Sequence, residues 1–374
     1  MLSYEINQDL IRALKELFSL CQRRWDQVDA YPEPKKKYIR KHSLISNIGA
    51  STRIENAILT DVEIDWIDKD INTESNATFK DREHVIKDKL SKDKERSIEE
   101  VAGYRDAIQI INHAPKDFVP MRESNIKGLH REIMKYYSGA VHYQGNYKTQ
   151  INSVVESNSR TGSKKTLLRT ADPGIETETS MHDLVAWFNA TLMTDPWCLP
   201  TAVEFVFRFL AIHPFQDGNG RLSRLFFQAI LMNSEDNYFS AIIPYIALDR
   251  EVEKTRPQYY LVLNKCSGGH FNPDPAKYKY NELLAYMIQV IRESLPNIDH
   301  YAQKYDLLQT LSETDLKILA CFKEQPEHYL QTKNIVEMLN IPRRTAIYSL
   351  NKLLAASFVQ SIGRGAGVKY KITF

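Results

Sequence analysis

Only four cysteines occur in 374 residues: Cys21, Cys198, Cys266 and Cys321. None lies within metal-clip spacing of another, and their scatter builds no disulfide framework. A reducing cytoplasm is the expected compartment. An apolar run long enough to cross a bilayer is also missing. The most apolar stretch, VEFVFRFLAIHPF, contains Glu204, Arg208 and His213 and reads as a buried helix. The N-terminus, MLSYEINQDLIRALKELF, carries acids early and has no basic segment ahead of an apolar core. No secretory leader and no membrane partner are therefore expected. An excess of one charge sign is lacking too, since 49 Lys and Arg face 47 Asp and Glu, a net charge of +2. The field of the whole molecule selects no particular partner. There is no internal repeat and no low-complexity tract.

What is present is a soluble globular composition, 43% hydrophobic and 26% charged. The length calls for two or three domains. Most of the chain has helical periodicity. Leu10, Leu14, Leu17 and Phe18 form one stripe of an amphipathic helix over 5–25. YPEPKKKYIR (31–40) reads as a break, with KKK in a solvated linker. A plausible helix follows within 43–60. The charge-dense stretch 65–98 reads as an exposed helix or a mobile segment, and a long helix is expected over EEVAGYRDAIQIINHA. Two β-leaning stretches, 150–155 and 165–170, flank a Ser/Asn/Gly-rich turn, which is a hairpin signal. MHDLVAWFNATL and TAVEFVFRFLAI are helical, the second with Thr201 and Glu204 at capping-box spacing.

HPFQDGNGRLSR, at 213–224, concentrates unusual chemistry. His213 falls where a helix ends, Pro214 cannot continue the ladder, and Phe215 can anchor a turn. Gly218 and Gly220 permit close approach of backbone to a ligand. Helical spacing resumes at Leu222, Leu225, Phe226, Ala229 and Ile230. A Gly-rich loop feeding a helix N-terminus presents unpaired N–H groups to an anion. Arg221 and Arg224 in the first turn oppose the helix dipole unless an anion compensates. Asp217 suits Mg²⁺, which binds through few carboxylates plus phosphate oxygens. His213 is the good proton acceptor nearby. Each part alone has a bland structural explanation; together they point to phosphoryl or nucleotidyl transfer. The loop is not a Walker P-loop, because Lys-Ser/Thr does not follow the glycines.

The segment resembles the signature of the Fic family, H-P-F-x-D/E-G-N-G-R-x-x-R, at every specified position, and the resemblance extends less strictly over 105–290. The hairpin lies where Fic proteins have a flap; MHDLVAWFN and RPQYYLVL resemble later core helices. The resemblance implies transfer of AMP from ATP onto a hydroxyl side chain of a target protein held at the flap, 150–170. In that reading His213 is the base and Asp217 coordinates Mg²⁺. Gly218, Asn219 and Gly220 line the anion hole, Arg221 supports the phosphates and Arg224 binds the γ-phosphate. STRIEN, at 51–56, resembles the family's inhibitory motif, S/T-x-x-x-E-G/N. It implies that Ser51, Glu55 and Asn56 form a brake, Glu55 pairing with Arg224 and denying it to ATP.

The C-terminal stretch resembles a winged helix-turn-helix: three helices, the second over 332–339 and the third over 342–354, then two short strands around a Gly-rich turn. From Met338 to Phe374 there are six Lys/Arg and no Asp or Glu. Arg343, Arg344 and Arg364 are candidate contacts to duplex DNA within 331–374; protein contact or homodimerisation is the alternative use. The expected fold is thus mainly α, a Fic-type helical bundle with a β-hairpin flap and a C-terminal winged helix-turn-helix domain. The expected regions are 1–104, 105–295 and 305–374. The expected function is self-inhibited protein adenylyl transfer with ATP and Mg²⁺. Alternatives are a DNA-binding regulator whose core senses nucleotide, and a related transferase or de-AMPylating enzyme using another phosphate substrate.

Overall fold

The computed structural model describes residues 1–73, 77–157, 164–192, 194 and 197–374. Helix α1 (Gln8–Asp29) starts where the Asn7 side chain accepts the Leu10 N–H, and it buries Leu10, Leu14, Leu17, Cys21 and Val28. Helix α2 (Glu33–Ile54) begins directly after Pro32. The stretch 31–40 is therefore helix rather than linker. Proline is tolerated in a first helical turn, where the N–H has no intrahelical acceptor. Lys35 is not free in solvent either, since it pairs with Asp306 at 2.7 Å.

Helix α3 (Asp61–Ile71) carries a full capping box, Thr60 with Glu63. Then come α4 (Phe79–Lys89) and α5 (Glu95–His113). This charge-dense region is packed rather than simply exposed, because Ile67, Ile71, Phe79, Ile86 and Ile98 lie in the core. An apolar residue every three or four positions suffices to bury one face while the charges occupy the other. Helix α5 runs through residues 104 and 105 without interruption.

Helix α6 (Glu123–Met134) precedes the hairpin of β1 (Ser153–Ser157) and β2 (Lys164–Arg169). The strands pair antiparallel with an irregularity between Val154 and Val155. The turn expected between them lies outside the described residues. The far edge of β2 is occupied at its last residue, Arg169, which exchanges backbone hydrogen bonds with Gly269 and Phe271 at 3.0 and 2.7 Å.

Helices α7 (Ile175–Leu192), α8 (Cys198–Ile212), α9 (Asn219–Met232), α10 (Asn237–Ile242), α11 (Leu248–Lys254), α12 (Arg256–Ser267) and α13 (Tyr280–Ser294) complete the bundle. Thr201 and Glu204 do not form the expected capping box, because α8 starts at Cys198 and encloses both. Glu204 is fully buried and accepts from the Ser3 N–H and hydroxyl. Antiparallel neighbours α8 and α9 share an aromatic seam of Phe205, Phe209 and Phe226. Each such ring contributes roughly 1.5–3 kcal/mol by leaving water.

Helix α14 (Asn297–Gln309) leads to α15 (Glu313–Lys323), β3 (Leu330–Gln331), α16 (Thr332–Leu339), α17 (Arg343–Ala355), β4 (Val359–Ile362) and β5 (Lys369–Ile372). The strands form one sheet in the order β3-β5-β4. Two apolar cores result, one spanning Leu10 to Ala302 and a smaller one spanning Leu311 to Ile372. The molecule is mainly helical, as its periodicity predicts. Among the described residues no helix is long and apolar enough to cross a membrane.

Candidate active site

The bend between α8 and α9 is held from all sides. His213 caps α8 in the left-handed region, φ 53° and ψ 59°, with its N–H on the Phe209 carbonyl at 2.8 Å. Phe215 is fully buried, and the His130 ring of α6 stacks on it at 3.9 Å with 6° between planes. The Asn219 side chain reaches back to the same residue, accepting from Phe215 N at 2.9 Å and donating to Phe215 O at 2.7 Å. Gly218 sits at φ 80°, which a side chain rarely adopts. The first bond of the α9 ladder runs from Leu222 N to Gly218 O. The N–H groups of residues 219–221 therefore precede the ladder, at the positive end of the helix.

His213 faces a cleft of about 750 Å³ lined by β1, residues 216–220, Arg224, Tyr259 and Tyr260. Its Nδ1 lies 3.2 Å from the Leu210 carbonyl. A carbonyl only accepts, so Nδ1 carries the proton and the Nε2 lone pair is left to take another. Burial, then the Lys148 ammonium, push the imidazole down to about 4. The ring is consequently neutral and basic-competent near pH 7.

Lys148 is a site residue that sequence reasoning missed. Only 3% exposed, it donates to Ile212 O (2.9 Å), Asn152 Oδ1 (2.9 Å) and Thr170 Oγ1 (3.1 Å). Asn152 in turn donates to the carbonyls of His213 (3.3 Å) and Phe215 (2.8 Å). The roots of the hairpin thus clamp the backbone on which His213 sits. His130 is a second missed residue. It accepts the Gly145 N–H at Nδ1 (2.8 Å), so its Nε2–H donates to Asp217 O (3.0 Å) and positions that loop. Burial brings His130 down to about 4 and keeps it neutral.

Asp217 presents one half-exposed carboxylate, with Oδ1 taking the Gly218 N–H at 2.6 Å and lying 3.5 Å from Arg221. Arg96 of α5, 4.0 Å from Oδ2, is a neighbour the sequence did not suggest. A single carboxylate fits Mg²⁺, which completes its shell with phosphate oxygens and water. Arg221 is 2% exposed, and among the described residues its Nε and Nη1 have no hydrogen-bond partner. A buried guanidinium with open donors is suited to an anion.

Arg224 is 6% exposed and fully engaged with α2. Its Nε donates to Ser51 Oγ (2.8 Å) and its Nη2 to Ser51 O (2.8 Å) and Glu55 Oε1 (2.9 Å). Glu55 lies so close to Gly220 that a methyl group on that glycine would overlap its carboxylate. Asn56, at φ 75°, ends the helix directly after Glu55 and accepts from Arg256 at 3.2 Å. An Asn or Gly suits that position because few other residues tolerate positive φ. Arg53 fixes the helix end from below, bonded to Asp61 and to Glu253, both at 2.7 Å.

In the C-terminal module Arg343, Arg344 and Arg364 are exposed. Lys352, another of the six cations there, is tied to Asp315 at 3.0 Å and to Thr310 O at 2.9 Å.

Residues 120–231 match the sequence model of the Fic/DOC family. The protein adenylyltransferases fic-1 of Caenorhabditis elegans and Caenorhabditis briggsae are 33% and 32% identical over 95 residues. That stretch is 25% of this chain and 16% of each relative, so the match spans about a sixth of the curated relatives' length. A Fic family protein from Desulfovibrio desulfuricans G20 superposes with a TM-score of 0.55 at 19% identity, covering 100% of this chain and 98% of its own. The Caenorhabditis elegans Fic-1 structure gives 0.53 at 18% identity, covering 81% and 76%. These structural likenesses concern the fold.

Proposed function

Because residues 120–231 of this chain are a Fic domain, we propose that it is a self-inhibited adenylyltransferase. It moves AMP from ATP to a hydroxyl side chain of a target protein, or of itself. The observation that carries this reading is that His213, with its free Nε2, shares one cleft with residues 217–220 at the start of α9 and with Arg224.

The target hydroxyl gives its proton to His213 Nε2 as its oxygen bonds to the α-phosphorus. The bond from that phosphorus to the bridging oxygen breaks, and pyrophosphate leaves. The N–H groups at the start of α9 and the Arg221 guanidinium offset charge on the phosphates. Mg²⁺ held by Asp217 would supply further charge neutralisation. Tyr259, Tyr260 and Leu263 give the cleft an apolar wall suited to a purine. Strand β1 lines the cleft, whereas the outer edge of β2 is already bonded at Arg169 to residues 269–271. A target backbone therefore adds to β1, which brings its hydroxyl in line.

Glu55 and Ser51 occupy Arg224 in the resting chain, so the γ-phosphate lacks its cation and ATP cannot adopt the reactive pose. Intact mass with ATP and Mg²⁺ tests the whole reading. Glu55→Gly gains AMP, while the wild type gains little and His213→Ala none. A Glu55→Gly chain that stays at its starting mass with every candidate target would overturn it.

A second reading concerns the C-terminal module, which we take as a winged helix-turn-helix. Arg343, Arg344 and the 73% exposed Tyr348 lie on α17, with Arg364 between β4 and β5. This exposed basic face fits the phosphates of duplex DNA. A salt-dependent mobility shift that weakens in Arg343→Ala/Arg344→Ala supports it; no shift at low salt leaves protein contact or homodimerisation as its use.

A further inference from the structure

A second cleft opens where the two apolar cores meet. Tyr38 and His42 of α2 form one wall and Trp66 of α3 another, with Lys304 of α14, Lys323 of α15 and Phe374 closing it. Lys304 is only 7% exposed, yet among the described residues it has no hydrogen bond or ion pair. The centroid of the Phe358 ring lies 6.0 Å from its ammonium. The Lys304 stem is buried, and no anion is seen beside its ammonium among the described residues. Burial, with Arg250 nearby, brings Lys304 down to about 8, so it still carries its proton near neutrality. Among the described residues His42 Nδ1 is a buried polar atom without a hydrogen-bond partner. The acid in the wall, Asp65, is already matched by Lys41 at 2.6 Å. Lys69 and Lys323 are further cations in the lining.

We propose that this cleft binds a small organic anion with a flat apolar body, an aromatic carboxylate or phosphate monoester. The anion pairs with Lys304 and Lys323, and His42 Nδ1 joins as donor or acceptor. The ring lies among Tyr38, Trp66 and Phe374. His42 lies tilted against Tyr38 at 4.0 Å and against Phe374 at 4.8 Å, so the lining there is aromatic. The site lies apart from the His213 cleft, and its occupancy does not require that the adenylyl-transfer reading be right. It shares α2 with the Ser51–Glu55 segment, so an occupant held between α2 and the C-terminal module is placed to shift the brake.

Phenyl phosphate and benzoate, with benzamide as the neutral control, are titrated into the full chain by calorimetry and by tryptophan emission. One saturable site for at least one anion and none for benzamide is expected. The emission change should vanish in Trp66→Phe. Lys304→Met, which removes the charge but keeps the stem, should weaken binding at least tenfold. If Lys304→Met melts early, Lys323→Gln provides the same comparison in a surface residue. Binding that is unchanged in both variants, or no saturable binding by either anion, overturns the proposal. The two anion arms tell carboxylate from phosphate, and none of these readouts depends on AMP transfer.

Discussion

Arg224 and Glu55, 169 positions apart in the chain, meet at 2.9 Å inside the cleft that His213 faces. Ser51, one turn back on α2, takes two further donors of the same guanidinium. All three contacts are charge-assisted, and such bonds contribute about 1.5–3 kcal/mol each. Freeing Arg224 of Glu55 should thus raise AMP transfer by roughly 10- to 100-fold, since each 1.36 kcal/mol is tenfold in rate. Ser51→Ala should raise it less, because the Ser51 carbonyl contact survives. Initial rates with labelled ATP for wild type, Ser51→Ala and Glu55→Gly give the order; equal rates for all three would remove the brake from the account.

Lys148→Met keeps the buried stem and deletes the ammonium. Ile212 O then loses the ammonium as donor, while Asn152 Oδ1 keeps the Thr170 hydroxyl at 2.8 Å; a buried acceptor left without its donor costs about 1–3 kcal/mol. The same cation is the second cause, after burial, that holds the imidazole down at about 4. Without it the His213 pKa moves up toward its ordinary value. In a Glu55→Gly background the acid limb of the pH–rate profile should therefore shift to higher pH. A Lys148→Met limb superimposed on that of the parent would show that Lys148 has no hold on the base.

The contrast between Lys148 and His213 shows what was legible in the sequence. HPFQDGNGRLSR announces itself because base, acid, glycines and arginines fall within twelve consecutive positions, from the cap of α8 into the first turns of α9. Lys148, Asn152 and His130 reach the same bend from 64, 61 and 87 positions away. Each is an ordinary residue type in an ordinary local pattern, and only the fold gives it a partner. The segment 31–40 was misread for the opposite reason. Two prolines look like an interruption unless one knows that a helix begins there. The helical bundle and the hairpin were legible because periodicity of 3.6 or 2 records which face is buried. Which buried faces meet is not written in periodicity.

Histidines lowered by burial make folding sensitive to acid, His300 among them. His42 is brought down to about 3 and His130 and His213 to about 4, each first by burial. The unfolded chain takes up these protons near pH 6.5 and the folded chain does not, so stability falls as pH drops from about 6.5 toward 4. At 1.36 kcal/mol per pKa unit His42, His130 and His213 each contribute on the order of 3 kcal/mol across that window. Asp249 works the other way. Burial raises it to about 6, so the folded chain gains its proton first and recovers part of the loss. Urea denaturation at pH 7, 6 and 5 should show midpoints falling steadily. A flat midpoint would mean that the histidines are solvated in the folded chain.

His213 also stores backbone strain, at φ 53° and ψ 59°. A left-handed residue with a Cβ costs roughly 1–2 kcal/mol, which glycine escapes. The strain is tolerated because the Phe209, Lys148 and Asn152 contacts hold the bend regardless of its side chain. Glycine has a cost of its own, since it gains more freedom than alanine when unfolded, about 0.5–1 kcal/mol. The two terms leave His213→Gly more stable than His213→Ala by up to about 1.5 kcal/mol, although both have lost the base. Transfer should be absent from both variants in the Glu55→Gly background, while the midpoint of chemical denaturation is higher for glycine. If alanine were the more stable of the two, the bend would be relaxed rather than strained. If either variant still transferred AMP, the proton would be leaving by a route other than the imidazole.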